Sequence, residues 1–589
     1  MTIERKVGMG IAGQPSGSEN VAEVFSTYVY AGNGTNSNVI NNGIDLAGEG
    51  GMVWVKNRSS TDAGIIVDTE RGIQKQLTTS STSSENTDYR DIESFNSNGF
   101  TARYWSNATN NGDYGYASWT FRKKEKFFDV VTYTGNYVAG REISHGLAGP
   151  VGMMIIKCLS NNEDWAVYHR GANGGVTPQN FKLILNNTSA AASGYWNNTA
   201  PTDSSFTVGQ SGEVNGNNQT YVAYLFADNS SELAGNQMIK CGSATTVSGN
   251  KAVVNLGWEP QFLLIKKSNS SGDWIMQDTM RGLRPDGSGN FVYANSTDAE
   301  VSQNGNSELT STGFTAVSNG IGHKFIYMAI RAPMMKKPSA ATEVFNISTY
   351  GANRNNSTTD TFYAGFPVDM ALKKNPVTGN ANNFVSTRML GTSDLSTNHN
   401  GAERTGETEE VFDSNTHWNK AAGTTTTNYS WMWKRAKGYF DVVAYTGTGS
   451  ARTIPHSLGV APEMIWAKKR NNSRDWGTGF ASQGWTKRGP ALDQNETSYV
   501  ASVLWNDTAP TDSVFSVSGL THINGSGDTY IAYLFATLAG ISKVGSYTGN
   551  GSNQTINCGF SAGSRFILIK RTDATGDWYV WDSVRGIVA

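Results

Sequence analysis

The feature that most constrains this fold is a long internal match. Residues 127–135 read FFDVVTYTG and residues 439–447 read YFDVVAYTG. Tyr195 to Ser204 (YWNNTAPTDS) pairs with Leu504 to Ser513 (LWNDTAPTDS), and Thr220 to Ala227 (TYVAYLFA) pairs with Thr529 to Ala536 (TYIAYLFA). Both pairs share one offset, since 504 − 195 and 529 − 220 each give 309. Chance does not place two such matches at one spacing, so the chain is a tandem array.

A second unit type follows each copy of this one. Phe262-Leu263-Leu264-Ile265-Lys266-Lys267 pairs with Phe566-Ile567-Leu568-Ile569-Lys570-Arg571, and Asp278-Thr279-Met280-Arg281-Gly282 pairs with Asp582-Ser583-Val584-Arg585-Gly586. A third type precedes each copy. It carries Met52-Val53-Trp54-Val55-Lys56 and Asp68-Thr69-Glu70-Arg71-Gly72 in its first occurrence. Its second occurrence keeps Met370-Ala371-Leu372-Lys373 but loses the Arg-Gly turn at Thr387-Arg388-Met389. With the types termed C, A and B, the order is C-A-B-C-A-B. The boundaries are an N-terminal arm (1–22) and units at 23–126, 127–234, 235–340, 341–438, 439–539 and 540–589.

The units share a pattern. A strand ending in Lys is followed seven residues on by Asp-Trp in four copies: Lys157 with Asp164-Trp165, Lys266 with Asp273-Trp274, Lys468 with Asp475-Trp476, and Lys570 with Asp577-Trp578. Strand, polar turn and second strand fit this spacing as a β-hairpin. Helical periodicity is hard to find, and the closing strands are apolar on both faces, as central strands are. The expected fold is all-β: six tandem antiparallel β-sandwich units, jelly-roll-like, with the last incomplete. The sixth stops just after its Arg-Gly turn, so either a longer chain or a partner is expected to complete it.

Composition bounds the function. Charged residues are 16% and the net charge is −2, so the cationic surface of a duplex binder is missing and no nucleic-acid partner is expected. The one dense basic stretch, Phe121 to Lys126, falls at a unit junction and reads as a solvated linker. Three distant cysteines give no disulfide framework and no zinc pattern, and no cofactor is expected. The first residues lack the apolar core of a secretory signal, and no apolar run approaches the ~20 residues of a membrane span. A soluble protein made in a reducing cytosol, without membrane insertion, is the expectation.

FDVVxYTG, the turns Ile143-Ser144-His145-Gly146-Leu147 and Ile454-Pro455-His456-Ser457-Leu458-Gly459, WNxTAPTxSxF and the closing TYVAYLF strand together resemble repeats in tail-fibre and other virion structural proteins of marine bacteriophages, cyanophages especially. The resemblance covers nearly all the chain beyond residue 22. It implies a particle component, with the tail favoured over the head, made in the host cytoplasm and without catalysis. The implied partners are other virion proteins, further copies of the chain in a homotrimer, and a host surface glycan or receptor. It carries over no functional residue. The Gly-rich arm could dock onto the particle.

Candidate chemistry is sparse. His145 and His456 sit in matching turns, where a backbone hydrogen bond explains them. The other histidines form no metal-binding pattern. The Asp-Trp pairs could stack sugars, but repeated Trp at fixed spacing serves packing. The pairs Asp68/Arg71, Asp278/Arg281 and Asp582/Arg585 read as charge-assisted turn fasteners. Asn110-Asn111-Gly112-Asp113 could hold calcium, but it is no EF-hand. No motif selects the two carboxylates of a glycosidase, which disfavours a polysaccharide depolymerase. Contact residues are expected where copies diverge: Trp418, and Trp485 with Arg488, as exposed anchors.

Overall fold

The computed structural model describes residues 21–88, 90–304, 307–332, 335–349, 359–374, 382–405, 410–421, 429–486, 489–498 and 504–587. The N-terminal arm lies outside the described residues up to residue 20.

In the first unit the strands are β1 (Phe25–Ala31), β2 (Asn38–Asn41), β3 (Gly51–Asn57), β4 (Ile65–Asp68), β5 (Leu77–Thr78), β6 (Ile92–Asn96), β7 (Gly99–Ala102) and β8 (Gly115–Arg122). They form a five-stranded sheet in the order β1-β8-β3-β4-β5 and a three-stranded sheet in the order β2-β7-β6. First strand pairs with last and second with penultimate, the nested pairing of a jelly roll. Between them β3, β4 and β5 run on as a meander within the larger sheet. Every pairing is antiparallel. The second unit repeats this plan with six and two strands, the third with six and three, the fourth with five and two, and the fifth with four and two. The fold is thus all-β, a row of antiparallel sandwiches, and each sheet's strands come from one unit.

The apolar alternation on the large sheet has two phases, and each phase has its own destination. In β3, Val53 and Val55 face the small sheet of their own sandwich, with Ile65, Val67 and Phe100. Met52 and Trp54 face the other way, into a core that also holds Met153, Ile155, Tyr224, Phe262, Leu264 and Met328 from units two and three. The third unit divides likewise: Leu263 and Ile265 line its sandwich, while Phe262 and Leu264 enter the shared core. Side chains on a strand alternate faces, so a sheet buried on both sides needs apolar residues at consecutive positions. The first three units therefore pack their large sheets around one common centre, a pseudo-threefold ring within a single chain. Units four and five share a second such core, and Phe566, Leu568 and Val580 of unit six pack against it.

The sixth unit contributes one hairpin, Phe566–Lys570 with Trp578–Asp582. In the third unit Ile239–Thr245 pairs with Lys324–Arg331, and Lys251–Asn255 pairs with Gly313–Val317. Among the described residues there is no counterpart of either later strand, and residues 543–565 form no ladder.

The basic stretch is not a free linker. Phe121 is fully buried at the end of β8, and Lys123 binds Glu70 (2.7 Å) and Asp129 (3.4 Å). Strand continuity through Arg122 draws these residues into the junction between units one and two.

Candidate functional site

The repeated polar residues converge on the seams between units. Register fixes their equivalence. Lys266 pairs with Trp274 across the hairpin, and Phe262 pairs with Asp278. Lys266 is fully buried, and its Nζ donates to the carbonyl of Gly272 in its own turn (2.6 Å) and of Thr188 in the preceding unit (2.9 Å). Lys157 does the same, reaching Glu163 (2.9 Å) and Thr82 of unit one (3.0 Å). Lys56 closes the ring by donating to the carbonyls of Asp62 and of Ser296 in unit three, the latter at 3.1 Å. In the second triplet Lys468 reaches Arg474 (2.6 Å) and Asn400 of unit four (3.0 Å). Burial pushes each of these four ammonium groups down to about 8, because carbonyl dipoles replace water without a carboxylate in direct contact.

The tryptophans grip the same neighbour. The indole N–H of Trp165 donates to Thr78 and Ser81 of unit one, both at 3.1 Å, and that of Trp274 to Ile184 of unit two at 2.8 Å. Trp476 donates to Ser396 (2.9 Å) and Trp578 to Ala491 (3.0 Å). In units two and three the Asp of the pair tightens the turn. Asn186 bridges the Trp165 amide and Asp164, and Asn295 bridges the Trp274 amide and Asp273. The first unit has Gly64 in place of the tryptophan, and there Thr79 Oγ1 donates to Ala294 of unit three at 2.7 Å.

The Asp/Arg turns form the inner set of seam contacts. Asp278 accepts the Arg281 amide (2.9 Å) and its Nε (2.7 Å), which fastens the turn. Its Oδ2 also accepts Trp119 Nε1 of unit one at 3.2 Å, with the Arg281 guanidinium 5.0 Å from that indole ring. Asp582 repeats this with Arg585 and with Trp431 of unit four (3.0 Å). Asp68 holds Arg71 (2.6 Å) and accepts the Tyr224 hydroxyl of unit two at 2.7 Å. At the equivalent place unit two has His169, paired with Met153 as Asp278 is with Phe262. His169 Nδ1 accepts the Gly171 amide and Nε2 donates to the Tyr327 carbonyl of unit three (3.0 Å). Burial pushes this imidazole down to about 3, so it sits neutral in the seam. Sequence spacing isolates His169; only strand register reveals its kinship with Asp68 and Asp278.

His145 and His456 are turn fasteners. Each accepts, through Nδ1, the amide two residues on, at 3.2 Å. The aspartate of FDVV holds the same turn: Asp129 accepts the Gly146 amide (2.7 Å) and Asp441 the Ser457 amide (2.8 Å). The motif glycine has a separate reason. A Cβ on Gly135 would lie 2.1 Å from the Gly216 carbonyl oxygen, and one on Gly447 would lie 2.1 Å from that of Gly525.

The expected contact residues fall differently. Trp418 is fully buried in the strand His417–Ala421, stacked on Phe362 (4.8 Å) and Phe412 (5.4 Å), with its N–H given to Ser430 at 3.0 Å. Trp485 is buried edge-on against Trp505 (5.9 Å). Both fill gaps in their own sandwiches, so neither is an exposed anchor. Arg488 lies outside the described residues. Asn110, in the turn considered for calcium, is fully buried and spends its amide on Asn33, Thr35 and Asn38.

Among the described residues no group of three or more His, Cys, Asp and Glu is placed to hold a metal. The described residues also line open clefts. One, about 630 Å³, is lined by Lys123, Asp129 and His145; another, about 550 Å³, lies between units three and four and is lined by Arg281, Arg284, Arg388 and Asp413. Asp129 and His145 are engaged in the turn just described, and Arg281 in its seam. No helix is long and apolar enough to cross a membrane among the described residues.

A family model described as a domain of unknown function (DUF7483) matches residues 20–333 and again 340–588. The two matched segments coincide with the two C-A-B triplets, so the family's domain corresponds to the ring of three sandwiches. No curated protein and no solved structure matches the chain.

Proposed function

The chain belongs to the DUF7483 family, in two tandem copies, and from its residues we propose that it is a non-enzymatic structural protein of a phage particle, a tail fibre or tail-associated appendage. One observation carries this reading. The polar residues that recur from unit to unit, which would be first suspects for chemistry, are consumed in holding sandwiches to one another. Lys56, Lys157, Lys266 and Lys468 bind backbone carbonyls across seams, and Asp68, Asp278 and Asp582 bind aromatic donors across seams. Such investment suits a protein that must keep its shape. The resemblance of its motifs to virion repeats supplies the setting.

The test is direct. Mass spectrometry of purified particles should find the chain, and immunogold labelling should place it on the tail. Negative-stain images of the isolated protein should show a three-lobed body joined to a smaller body of two lobes. Absence from particles would overturn the proposal; labelling of the capsid would move the chain to a decoration or head-fibre role. Release of reducing sugars from envelope polysaccharide would revive a depolymerase.

The resemblance also implies a homotrimer of whole chains. The first triplet already supplies within one chain the three-around-a-core packing that a trimer supplies between chains. Sedimentation equilibrium separates a monomer from a trimer. A second reading, a receptor- or glycan-binding protein, is favoured by an exposed aromatic pair on the first unit.

A further inference from the structure

We infer that the loop end of the first sandwich, around Tyr104 and Trp105, is a binding platform for neutral carbohydrate. Trp105 is 51% exposed and Tyr104 is 43% exposed. Of the sixteen tryptophans only Trp105 and Trp581 are exposed, and Trp581 already stacks on Tyr579 at 5.6 Å. Among the described residues, neither Tyr104 nor Trp105 packs its ring on another ring or a cation, and neither side chain makes a hydrogen bond.

The pair is held rigidly although its rings are free. Buried Asp91 accepts the Arg103 amide on its carbonyl (2.9 Å), and accepts the Ser106 amide (3.1 Å) and hydroxyl (2.9 Å) on its carboxylate. The Tyr104 amide donates to the Thr35 carbonyl at 2.9 Å, which binds this loop to the adjacent loop 32–37. Asn110 cross-links the two loops through both ends of its amide, to Asn33 (3.0 and 2.8 Å) and Thr35 (2.7 Å). A preorganised aromatic pair loses little conformational freedom when it binds.

The surroundings select the ligand. Loop 32–37 reads Gly-Asn-Gly-Thr-Asn-Ser and carries no charge, and its Thr35, Asn36 and Ser37 are exposed. Arg103 is neutralised by Glu93 at 2.7 Å. Indole and phenol faces suit the C–H face of a sugar ring, and amides and hydroxyls suit its hydroxyls. A nucleic acid would call for unpaired cations. A protein hot spot would call for a closely packed apolar surround. The corresponding loops of units two and five, 209–219 and 519–528, carry no aromatic residue. The aromatic pair is therefore not a repeated feature of those units, and the inference stands apart from where in a particle the chain resides.

The experiment is calorimetric titration of the full chain with neutral hexasaccharides of β-1,4-glucan, β-1,3-glucan, α-1,4-glucan and mannan, alongside Trp105→Ala, Tyr104→Ala and, as control, Trp581→Ala. The expected result is saturable binding of at least one probe by wild type and the control. Trp105→Ala should lose about tenfold or more in affinity and Tyr104→Ala less, with unchanged circular dichroism because both side chains are exposed. Wild type that binds no probe at about 10 mM, or Trp105→Ala that binds as wild type does, overturns the inference. So does a fluorescent single-stranded DNA that binds wild type and not Trp105→Ala, since the platform would then serve nucleic acid.

Discussion

If the first three units form a closed ring, residues at the ends of the triplet must be energetically coupled. Trp119 and Asp278 test this. They stand 159 positions apart, both fully buried, and Trp119 Nε1 donates to Asp278 Oδ2 at 3.2 Å. Asp278→Ala removes the main partner of the buried Arg281, which keeps Glu300 at 2.9 Å, and orphans the indole N–H. Breaking a buried ion pair costs about 3–5 kcal/mol, and the surviving Glu300 contact places this one near the lower end, with about 1 kcal/mol added for the orphan. A total of about 4 kcal/mol is expected. Trp119→Phe loses the hydrogen bond and part of the ring volume, for about 2 kcal/mol. In the double variant no indole is left to orphan, so the cost should fall short of the sum by about 1.5 kcal/mol. Urea unfolding of the full chain, followed by circular dichroism, measures the cycle. Asp278→Ala with Trp418→Phe is the control: Trp418 packs in unit four and shares no partner with Asp278, so those effects should add. Additivity within about 0.5 kcal/mol for Trp119 and Asp278 would refute ring closure.

Further outcomes follow from the same contacts. Burial holds Lys56, Lys157, Lys266 and Lys468 near 8 in the fold, below their unfolded value, so the folded state carries a cost below pH 8 that is relieved as pH rises. Stability should increase between pH 7 and about 9.3, by about 1 kcal/mol for each lysine, and Lys266→Met should lose its share of the slope in urea titrations at the two pH values. Above about pH 10 the trend should reverse, since buried Tyr133 and Tyr224 resist ionisation in the fold. Gly135→Ala, whose Cβ would meet the Gly216 oxygen at 2.1 Å, should destabilise by about 3 kcal/mol. The same change at Gly549, which ends the Tyr547-Thr548-Gly549 run of the sixth unit and has nothing within 4 Å, should stay within about 0.5 kcal/mol by thermal unfolding. A thiol reagent should label Cys558 in the native chain and spare buried Cys158 and Cys241, the latter with its thiol pushed up by burial. Rapid labelling of three thiols would contradict the packing.

Local order was legible in the sequence because strand chemistry is local. The Lys-to-Asp-Trp spacing predicts a hairpin, and Lys266 does face Trp274 across it. Consecutive apolar residues in Met52-Val53-Trp54-Val55 say that both faces of the sheet are buried, but not what covers the second face. The ring was hidden for that reason, and because the lysines reach across the seams to backbone carbonyls, such as those of Thr82, Thr188 and Ser296, which carry no residue signature. Trp418 was misplaced by its setting in a divergent stretch. The alternation His417-Trp418-Asn419 holds the signal that places its ring inward, opposite Phe362. The exposed pair Tyr104-Trp105 carried no mark, since the same dipeptide at Tyr195-Trp196 has its tryptophan buried.

The ring also accounts for a sequence period of three units rather than one. Each hairpin grips the unit before it, so the contact is head-to-tail, and such contacts either close or run on. Lys56 of unit one gripping Ser296 of unit three closes the first ring after three. If the three seams were alike, one unit type would serve throughout. They differ: Tyr224 on Asp68, His169 on the Tyr327 carbonyl, and Trp119 on Asp278. Each type must then sit between particular neighbours, and only the whole triplet can be copied. The second triplet shows what happens when a seam is released. Its first-to-third contact is kept, Trp431 on Asp582. In unit four, Thr387 stands where unit one has Asp68, both being paired with the first methionine of the strand. Tyr533, the counterpart of Tyr224, is left with a buried hydroxyl and no hydrogen-bond partner among the described residues. Leu390 stands where unit one has Arg71, and Arg388, one residue after Thr387, pairs with Asp369 at 3.3 Å and donates to the Met280 carbonyl of unit three at 3.2 Å. Divergence at this turn thus removed a contact within the ring, while Arg388 beside it and Arg435, which pairs with Glu259 of unit three at 2.8 Å, tie the two triplets together.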